Sequence, residues 1–298
     1  MTALSLLLAL LAVPANLDVQ GHRGARAVRP ENTWPAFQHA LAVGVTTLEL
    51  DLQVTRDDRL VIWHDPFLTP ERCVGPAGAA LAAPVPLRSL TLAQAKAHDC
   101  AGLPNPRFPK LVPAPGSPLL SLPELFARVS ASPTPAARSV RFNIETKLIP
   151  GRPDLAPSPA AFVELFVQAV EAAGVAERVS LQSFDDRTLL ALAARAPGIT
   201  RVLLVAENHL DHVAVARSAG AQVISPHHEW ILPADVTRLH AAGVKVVPWT
   251  PNSPAAWQRL LAMGVDGLIT DDPAALLAWL AARPKPQAPP QEQVDGAR

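Results

Sequence analysis

The sequence predicts an α/β fold: a TIM-type (β/α)8 barrel with a small insertion after its second strand. Three observations lead there. From residue 140 to 282, short aliphatic runs alternate with Ala-rich amphipathic stretches, the rhythm of repeated βα units and a parallel sheet. Strands at 17–20 and 47–54 join the six of this region to make eight, and eight units in roughly 260 residues match a closed barrel. One Pro/Gly-rich irregular stretch, about 66–117, interrupts the order; a segment of that length inside a compact domain is functional or an insertion.

Leu17 and Val19 open the first strand, which runs into Gly21-His22-Arg23-Gly24. Asn32 or Thr33 then caps a helix with Pro35 in its first turn; its apolar face is Phe37, Ala40, Leu41 and Val45, and it ends at about Gly44. Over 47–54 the alternation is strict, with Leu48, Leu50 and Leu52 on one face and Glu49, Asp51 and Gln53 on the other. Thr55-Arg56-Asp57-Asp58 reads as a turn, and 60–63 as a ninth strand, returning as a hairpin over the barrel mouth with Asp51 roughly opposite His64. A helix near 91–98 lies within the insertion, and the capping box Ser121-Leu122-Pro123-Glu124 opens another to about 129. Strands then follow at 140–145, 179–182, 201–205, 222–224, 245–248 and 267–269. They alternate with helices near 159–173, 185–196, 208–219, 233–242, 254–263 and 273–282. The barrel domain is expected over 16–282, and the Pro-rich tail, 283–298, is expected to be disordered.

Composition narrows the function. With 26 basic and 26 acidic residues the formal net charge is zero, which argues against a general nucleic-acid or membrane-surface binder but leaves room for a local anion pocket. Hydrophobic residues make up 49% of the chain, enough for a large core. Residues 4–13 form an apolar run followed by Val13-Pro14-Ala15, the pattern of a signal peptide over 1–15, although no Lys or Arg precedes it. The run is too short to span a bilayer, so no stable membrane anchor is expected. Export would place the protein in the periplasm or outside the cell. The competing reading, a first helix plugging the bottom of the fold, would leave it cytoplasmic. Cys73 and Cys100 are the sole cysteines, and in an exported protein an intrachain disulfide between them is the natural expectation. Neither has a second ligand at zinc-finger spacing.

In a barrel of this type catalytic groups sit at the C-terminal strand ends. Those ends carry His22-Arg23, Glu49-x-Asp51, Asn143-x-Glu145-x-Lys147, Gln182-x-Phe184, Pro248-Trp249 and Asp271-Asp272. Histidine moves protons near neutral pH, and arginine grips a phosphate through two parallel hydrogen bonds. Three carboxylates converging at one mouth repel each other unless a cation lies among them, and all-oxygen ligation points to Ca²⁺ or Mg²⁺ over Zn²⁺. A single acidic strand end is ordinarily just solvated. The whole set with two histidines is a candidate active site.

Gly21-His22-Arg23-Gly24 with Pro30-Glu31-Asn32-Thr33, then Glu49-x-Asp51, His64-Asp65 and Asn143-Ile144-Glu145-x-Lys147, resembles the glycerophosphodiester phosphodiesterase family. Leu181-Gln182-Ser183-Phe184, Trp249-Thr250-Pro251-Asn252 and Asp266-Gly267-Leu268-Ile269-Thr270-Asp271 continue the resemblance in order, over about residues 17 to 282. The resemblance implies a TIM barrel with an insertion after the second strand. It implies one divalent cation on Glu49, Asp51 and Glu145, His22 and His64 as general acid and base, and Arg23 holding the phosphate with Lys147 assisting. Gln182, Phe184 and Trp249 would line the glycerol side, or the aromatics would simply pack the barrel mouth. The substrate would be a small glycerophosphodiester, and in related enzymes a glycerol hydroxyl is the nucleophile, giving a cyclic phosphate that water opens to glycerol 3-phosphate. Competing readings are phospholipase D-like hydrolysis of lysophospholipids and a non-catalytic phosphodiester-binding barrel.

Smaller expectations accompany these. Glu31 braces Arg23 or its loop, Asp65 orients His64 or caps a turn, and Asp271 and Asp272 cap the last helix. The glycines around His22-Arg23 are read as clearance for the phosphate. His98, His209, His212, His227, His228 and His240 are read as surface or satisfied histidines.

Overall fold

Strand alternation and proline-opened helices decide most of the architecture. The computed structural model describes residues 17–207 and 211–283; the expected signal peptide over 1–15, the tail from 284 and His209 lie outside the described residues. In chain order the elements are β1 (Asp18–Gly21), α1 (Trp34–Val43), β2 (Thr47–Val54), β3 (Leu60–Ile62), β4 (Phe67–Leu68), β5 (Val85–Pro86), α2 (Leu92–Lys96) and α3 (Leu122–Ser130). There follow β6 (Arg141–Thr146), α4 (Pro159–Ala173), β7 (Val179–Ser183), α5 (Asp186–Arg195), β8 (Thr200–Val205), α6 (His212–Ser218), β9 (Val223–Pro226), α7 (Pro233–Ala241), β10 (Lys245–Val246), α8 (Pro254–Ala262), β11 (Gly267–Thr270) and α9 (Pro273–Ala281). Helices α1, α3, α4, α7, α8 and α9 carry proline in the first turn, where its missing N–H costs nothing and its fixed φ suits the helix.

The staves pair in the order β10-β9-β8-β7-β6-β2-β1-β11, all parallel. The ends of this row meet: Trp249 bridges His227 on one side and Ile269 on the other, and the Ile269 N–H donates to Pro248 O at 3.0 Å. Eight staves therefore form a barrel among the described residues. Strand β10 is shorter than the expected 245–248 because Pro248 has no N–H to give the ladder. Leu48, Leu50 and Leu52 face outward into the apolar layer beneath the helices, with Phe37, Phe142, Phe162 and Phe166. Along β1, β2, β6 and β7 the barrel interior is polar instead, with Gln20, Glu49, Asn143 and Gln182 all buried. It is satisfied by side-chain pairing: Asn143 Nδ2 donates to Gln20 Oε1 and Gln182 Oε1, both at 2.9 Å.

Strand β3 pairs antiparallel with β2 and sits off the barrel path, as the hairpin reading expects. The register differs by one residue. Thr55 N–H donates to Arg59 O, so Val54 meets Leu60 and Leu52 meets Ile62. Asp51 consequently faces Trp63, whose N–H donates to Asp51 O at 3.0 Å, and His64 lies just past the ladder. The insertion is not merely irregular. Strands β4 and β5 pair, Thr91 and Gln94 form a capping box at α2, and Val61, Trp63, Leu68, Leu87 and Leu119 make a second small core around a Cys73–Cys100 disulfide. Among the described residues no helix is long and apolar enough to cross a membrane.

The two glycines flanking His22-Arg23 do not clear space for a phosphate. A Cβ on Gly21 would lie 2.1 Å from Gly24 O, and one on Gly24 would lie 2.7 Å from the Ala36 backbone. Gly24 also has φ +86°, a left-handed value that glycine adopts without cost. Their bare backbones let the loop fold onto itself and onto α1. Gly21→Ala is therefore expected to destabilise the fold by about 2–3 kcal/mol, the scale of overpacking against atoms that cannot move aside. Denaturant unfolding checks this; unchanged stability with activity alone lost would restore the clearance reading.

Candidate active site

Parallel pairing of β2 with β6 sets Glu49 beside Asn143 and Asp51 beside Glu145. Because side chains alternate along a strand, these polar groups all point into the barrel. Oxygens of Glu49, Asp51 and Glu145 lie within 4.8 Å of one another, and all three residues are buried. Glu49 is gripped at both oxygens: Gln182 Nε2 donates to Oε1 at 2.6 Å and the Arg23 backbone N–H to Oε2 at 2.8 Å. Asn32 Nδ2 donates to Asp51 Oδ2 at 2.8 Å, from a residue held at φ 59°. Asn32 is thus a carboxylate clamp, and Thr33 is the helix cap residue. Lys147 Nζ lies 3.2 Å from Asp51 and 2.5 Å from Glu145.

Crowding like charges away from water leaves its mark. Burial, then Asp51 and Glu145, push the Glu49 carboxyl well above the usual carboxylate range. Burial also raises Glu145, against the pull of Lys147. Asp51 goes the other way: burial opposes it, but Lys147 and Arg23 hold it well below its ordinary value. Asp51 Oδ1 is fully buried, accepts no well-aligned hydrogen bond, and has the Lys147 ammonium 3.2 Å away as its counter-charge. A buried all-oxygen cluster of three carboxylates, two of them pushed up by burial and by each other, fits a hard divalent cation such as Ca²⁺ or Mg²⁺.

Two histidines reach the same cavity, of about 520 Å³. His22 Nδ1 lies 2.5 Å from Asp271 Oδ1. Nδ1–H therefore donates to the carboxylate, and Nε2 faces Glu49 Oε2 at 4.0 Å as the proton-accepting nitrogen. Burial outweighs Asp271 and lowers His22 to about 4, so its ring is neutral near pH 7. Asp271 is in turn held by Arg26 Nε at 2.9 Å and by Asn252 Nδ2 at 2.7 Å. It orients His22 rather than capping α9, the role Asp272 fills alone by accepting from the Ala275 N–H. His64 repeats the arrangement at the rim, with Nδ1 2.6 Å from Asp65 Oδ1.

Arg23, at φ 51°, puts Nε 3.1 Å from Asp51 Oδ2, and its Nη1 donates to Glu31 Oε1 at 2.7 Å. Glu31 touches three arginines: Arg23, Arg72 Nη2 at 2.6 Å and Arg26 Nη1 at 3.9 Å. Burial works against its charge, but Arg23, Arg72 and Arg26 hold the carboxyl far below the usual range. It braces Arg23 and lies away from the carboxylate cluster.

Phe184 and Trp249 line the cavity edge-to-face, with centroids 5.6 Å apart. Phe184 is 47% exposed. Trp249 also donates Nε1–H to Ser225 O at 3.0 Å and completes the barrel, so it packs as well as lines. Gln182 borders the cavity with its amide committed to Glu49 and Asn143. Leu103, Pro104, Pro106, Phe108 and Leu111 of the insertion add an apolar wall to the cavity, interrupted by Asn105 and Arg107. Of the remaining histidines, His98 bonds Gln94 O, His240 bonds Asp266, His212 is buried near Asp235, and His227 and His228 stack together beside Trp249 and Arg259. Sequence reasoning did not pick out Asn32, Asn252, Arg26 or Arg72 as site residues. The first two stand inside quoted motifs and Arg26 two residues after Gly24. Arg72 lies in the insertion, where no pattern marks it.

A sequence model described as the Glycerophosphoryl diester phosphodiesterase family matches residues 22–275. The chain is 29% identical over 263 residues to a protein named glycerophosphodiester phosphodiesterase from Caldanaerobacter subterraneus subsp. tengcongensis, covering 87% of this chain and 96% of that one. A crystal structure from Silicibacter pomeroyi, named within the same group, superposes with a TM-score of 0.83 at 28% identity, covering 90% and 94% of the two chains. An Oleispira antarctica phosphodiesterase, solved in complex with the product sn-glycerol-3-phosphate, shares the fold with a TM-score of 0.72 at 19% identity, covering 89% and 97%.

Two outcomes test the site. Saturating Ca²⁺ or Mg²⁺ is expected to raise the melting temperature, by the equivalent of about 2.7 kcal/mol at a hundredfold excess over Kd. Asp51→Asn and Glu145→Gln should abolish the shift seen by calorimetry. Glu31→Gln leaves Arg23, Arg26 and Arg72 without their shared counter-charge and should cost about 3 kcal/mol at pH 7. The Glu31 carboxyl is depressed in the fold, so its contribution is complete above its unfolded value of 4.5 and fades as pH falls below that. Denaturant titrations should accordingly show the gap between variant and wild type narrowing in acid.

Proposed function

Since the chain belongs to the glycerophosphoryl diester phosphodiesterase family, we propose that it hydrolyses glycerophosphodiesters to glycerol 3-phosphate and an alcohol by histidine acid–base catalysis with one divalent cation, Ca²⁺ or Mg²⁺. The observation that carries this reading is the meeting of three buried carboxylates with two Asp-oriented histidines at one cavity. Glu49, Asp51 and Glu145 would hold the cation, which would supply positive charge to a phosphoryl oxygen.

The residues of the chain do the rest. Arg23, with Lys147 beside it, offers fixed positive charge at the cavity floor for the phosphate as negative charge grows at phosphorus. One histidine takes the proton from the attacking glycerol hydroxyl, and the other gives a proton to the departing alcohol oxygen as the P–O bond breaks. Reversed proton transfers then let water open the cyclic phosphate. Each Nδ1 is held by an aspartate, which keeps Nε2 of both rings for this exchange. Phe184 and Trp249 offer apolar faces for the glycerol carbons, while Gln182 acts through Glu49, whose carboxylate it holds.

A pure binding barrel has little use for two His–Asp pairs in one cavity. A second substrate reading, phospholipase D-like cleavage of lysophospholipids, gains support from the apolar wall of Leu103, Pro104, Pro106, Phe108 and Leu111. We place the catalytic domain at 16–282, with the insertion as the wall of the alcohol side. We also propose export to the periplasm or beyond, a reading supported by the Cys73–Cys100 disulfide, since such bonds persist in oxidising compartments.

Turnover of glycerophosphocholine with Ca²⁺ or Mg²⁺ tests the proposal. Glycerol 3-phosphate should form, stop with EDTA, and fall at least about 10²-fold in His22→Ala and His64→Ala. No product with either metal would sink the enzymatic reading. Faster cleavage of lysophosphatidylcholine than of glycerophosphocholine would move the second substrate reading to first place.

A further inference from the structure

We propose that Arg72, supplied by the insertion, is a positioning residue that locks His64 and Arg23 into one arrangement, and that the Cys73–Cys100 disulfide holds it in place. The roles of His64 and Arg23 rest on the function proposed above; the link between them rests on geometry. Arg72 Nη1 lies 3.2 Å from Asp65 Oδ2, while the other oxygen of that carboxylate holds His64 Nδ1 at 2.6 Å. Arg72 Nη2 lies 2.6 Å from Glu31 Oε1, the same oxygen that accepts from Arg23 Nη1. One guanidinium therefore fixes two carboxylates, each of which orients a group at the cavity. His64 and Arg23 lie in different loops, one after the β2–β3 hairpin and the other after β1, and Arg72 is the fork between them.

The plane of that fork is set from below. The Arg72 guanidinium lies 4.6 Å over the Trp63 ring, whose indole is buried in the insertion core. Its backbone is set from the side. Cys73 is bonded to Cys100, its N–H donates to Thr69 O at 2.8 Å, and Val74 exchanges two backbone hydrogen bonds with Asp99 at 2.9 and 3.0 Å. A lysine could not replace this arginine, because a point-like ammonium cannot make two in-plane contacts and stack. The insertion thus reaches the catalytic groups through one side chain, and the disulfide acts through that side chain.

The test combines Arg72→Ala, Arg72→Lys and the Cys73→Ala/Cys100→Ala pair, with circular dichroism confirming that each folds. In glycerophosphocholine turnover, Arg72→Ala should lower kcat about 10²-fold, the cost of misplacing a reacting group by an ångström, with KM moving far less. Added guanidinium should restore part of kcat in Arg72→Ala, and Arg72→Lys should remain near the alanine value. Removing the cysteines should lower kcat in the wild-type background and add little in the Arg72→Ala background, because the two act on one element. Wild-type kcat in Arg72→Ala, a loss confined to KM, or full additivity of the two changes would overturn the inference. A readout independent of turnover is ¹⁵N-histidine NMR, with His64 assigned from His64→Gln. The His64 Nδ1–H should be protected from solvent exchange in the wild type and exposed in Arg72→Ala. Equal protection in both would overturn the link even if the chain proved to cleave a different phosphodiester.

Discussion

Like charge held at close range is the constraint around which this molecule is arranged. Once β2 pairs with β6 in the observed register, Glu49, Asp51 and Glu145 must meet inside the barrel, where water cannot screen them. Every neighbour answers that demand. Arg23 and Lys147 bring positive charge, while Asn32, Gln182 and the Arg23 backbone bring hydrogen-bond donors. The compensation is incomplete, as the raised carboxyl of Glu49 indicates, and a divalent cation held by the cluster would meet that remaining demand.

The two cavity histidines sit around this cluster and are organised by a related rule, that a buried polar atom needs a partner. Each histidine is turned by an aspartate, and each aspartate is held by an arginine: Arg26 for Asp271 and Arg72 for Asp65. Glu31 gathers these arginines with Arg23. The site is thus a continuous polar network, and its rigidity comes from shared carboxylates rather than from apolar packing. Apolar packing does its work outside, where the leucines of β2 meet the helices, and in the insertion core around Trp63.

How much of this the sequence disclosed follows from range. Period-two alternation at 47–54 identified both the leucine face and the acidic face, because strand geometry alone fixes which residues share a side. Proline at helix starts and glycine at Gly44 located most helix ends within a residue or two. Four things were not legible. The hairpin register depended on how the turn closes, with Thr55 bonding Arg59 through both backbone and hydroxyl, and this sets Trp63 rather than His64 opposite Asp51. Asp271 looked like a cap because it precedes a proline-opened helix; only barrel closure, which puts β11 beside β1, reveals that it meets His22. Gly21 and Gly24 looked like room for a ligand, yet their space is filled by the chain's own backbone. Arg72 could not be found at all, since its partners are 41 and 7 residues away through an irregular segment.

The most direct measurement is a crystal structure with Mn²⁺ as an anomalous stand-in for the native cation. One strong peak is predicted, bonded at about 2.2 Å to an oxygen from each of Glu49, Asp51 and Glu145. The absence of a peak there at saturating metal, or occupancy elsewhere with the Lys147 contacts to Asp51 and Glu145 intact, would contradict the cation-based reading of the site.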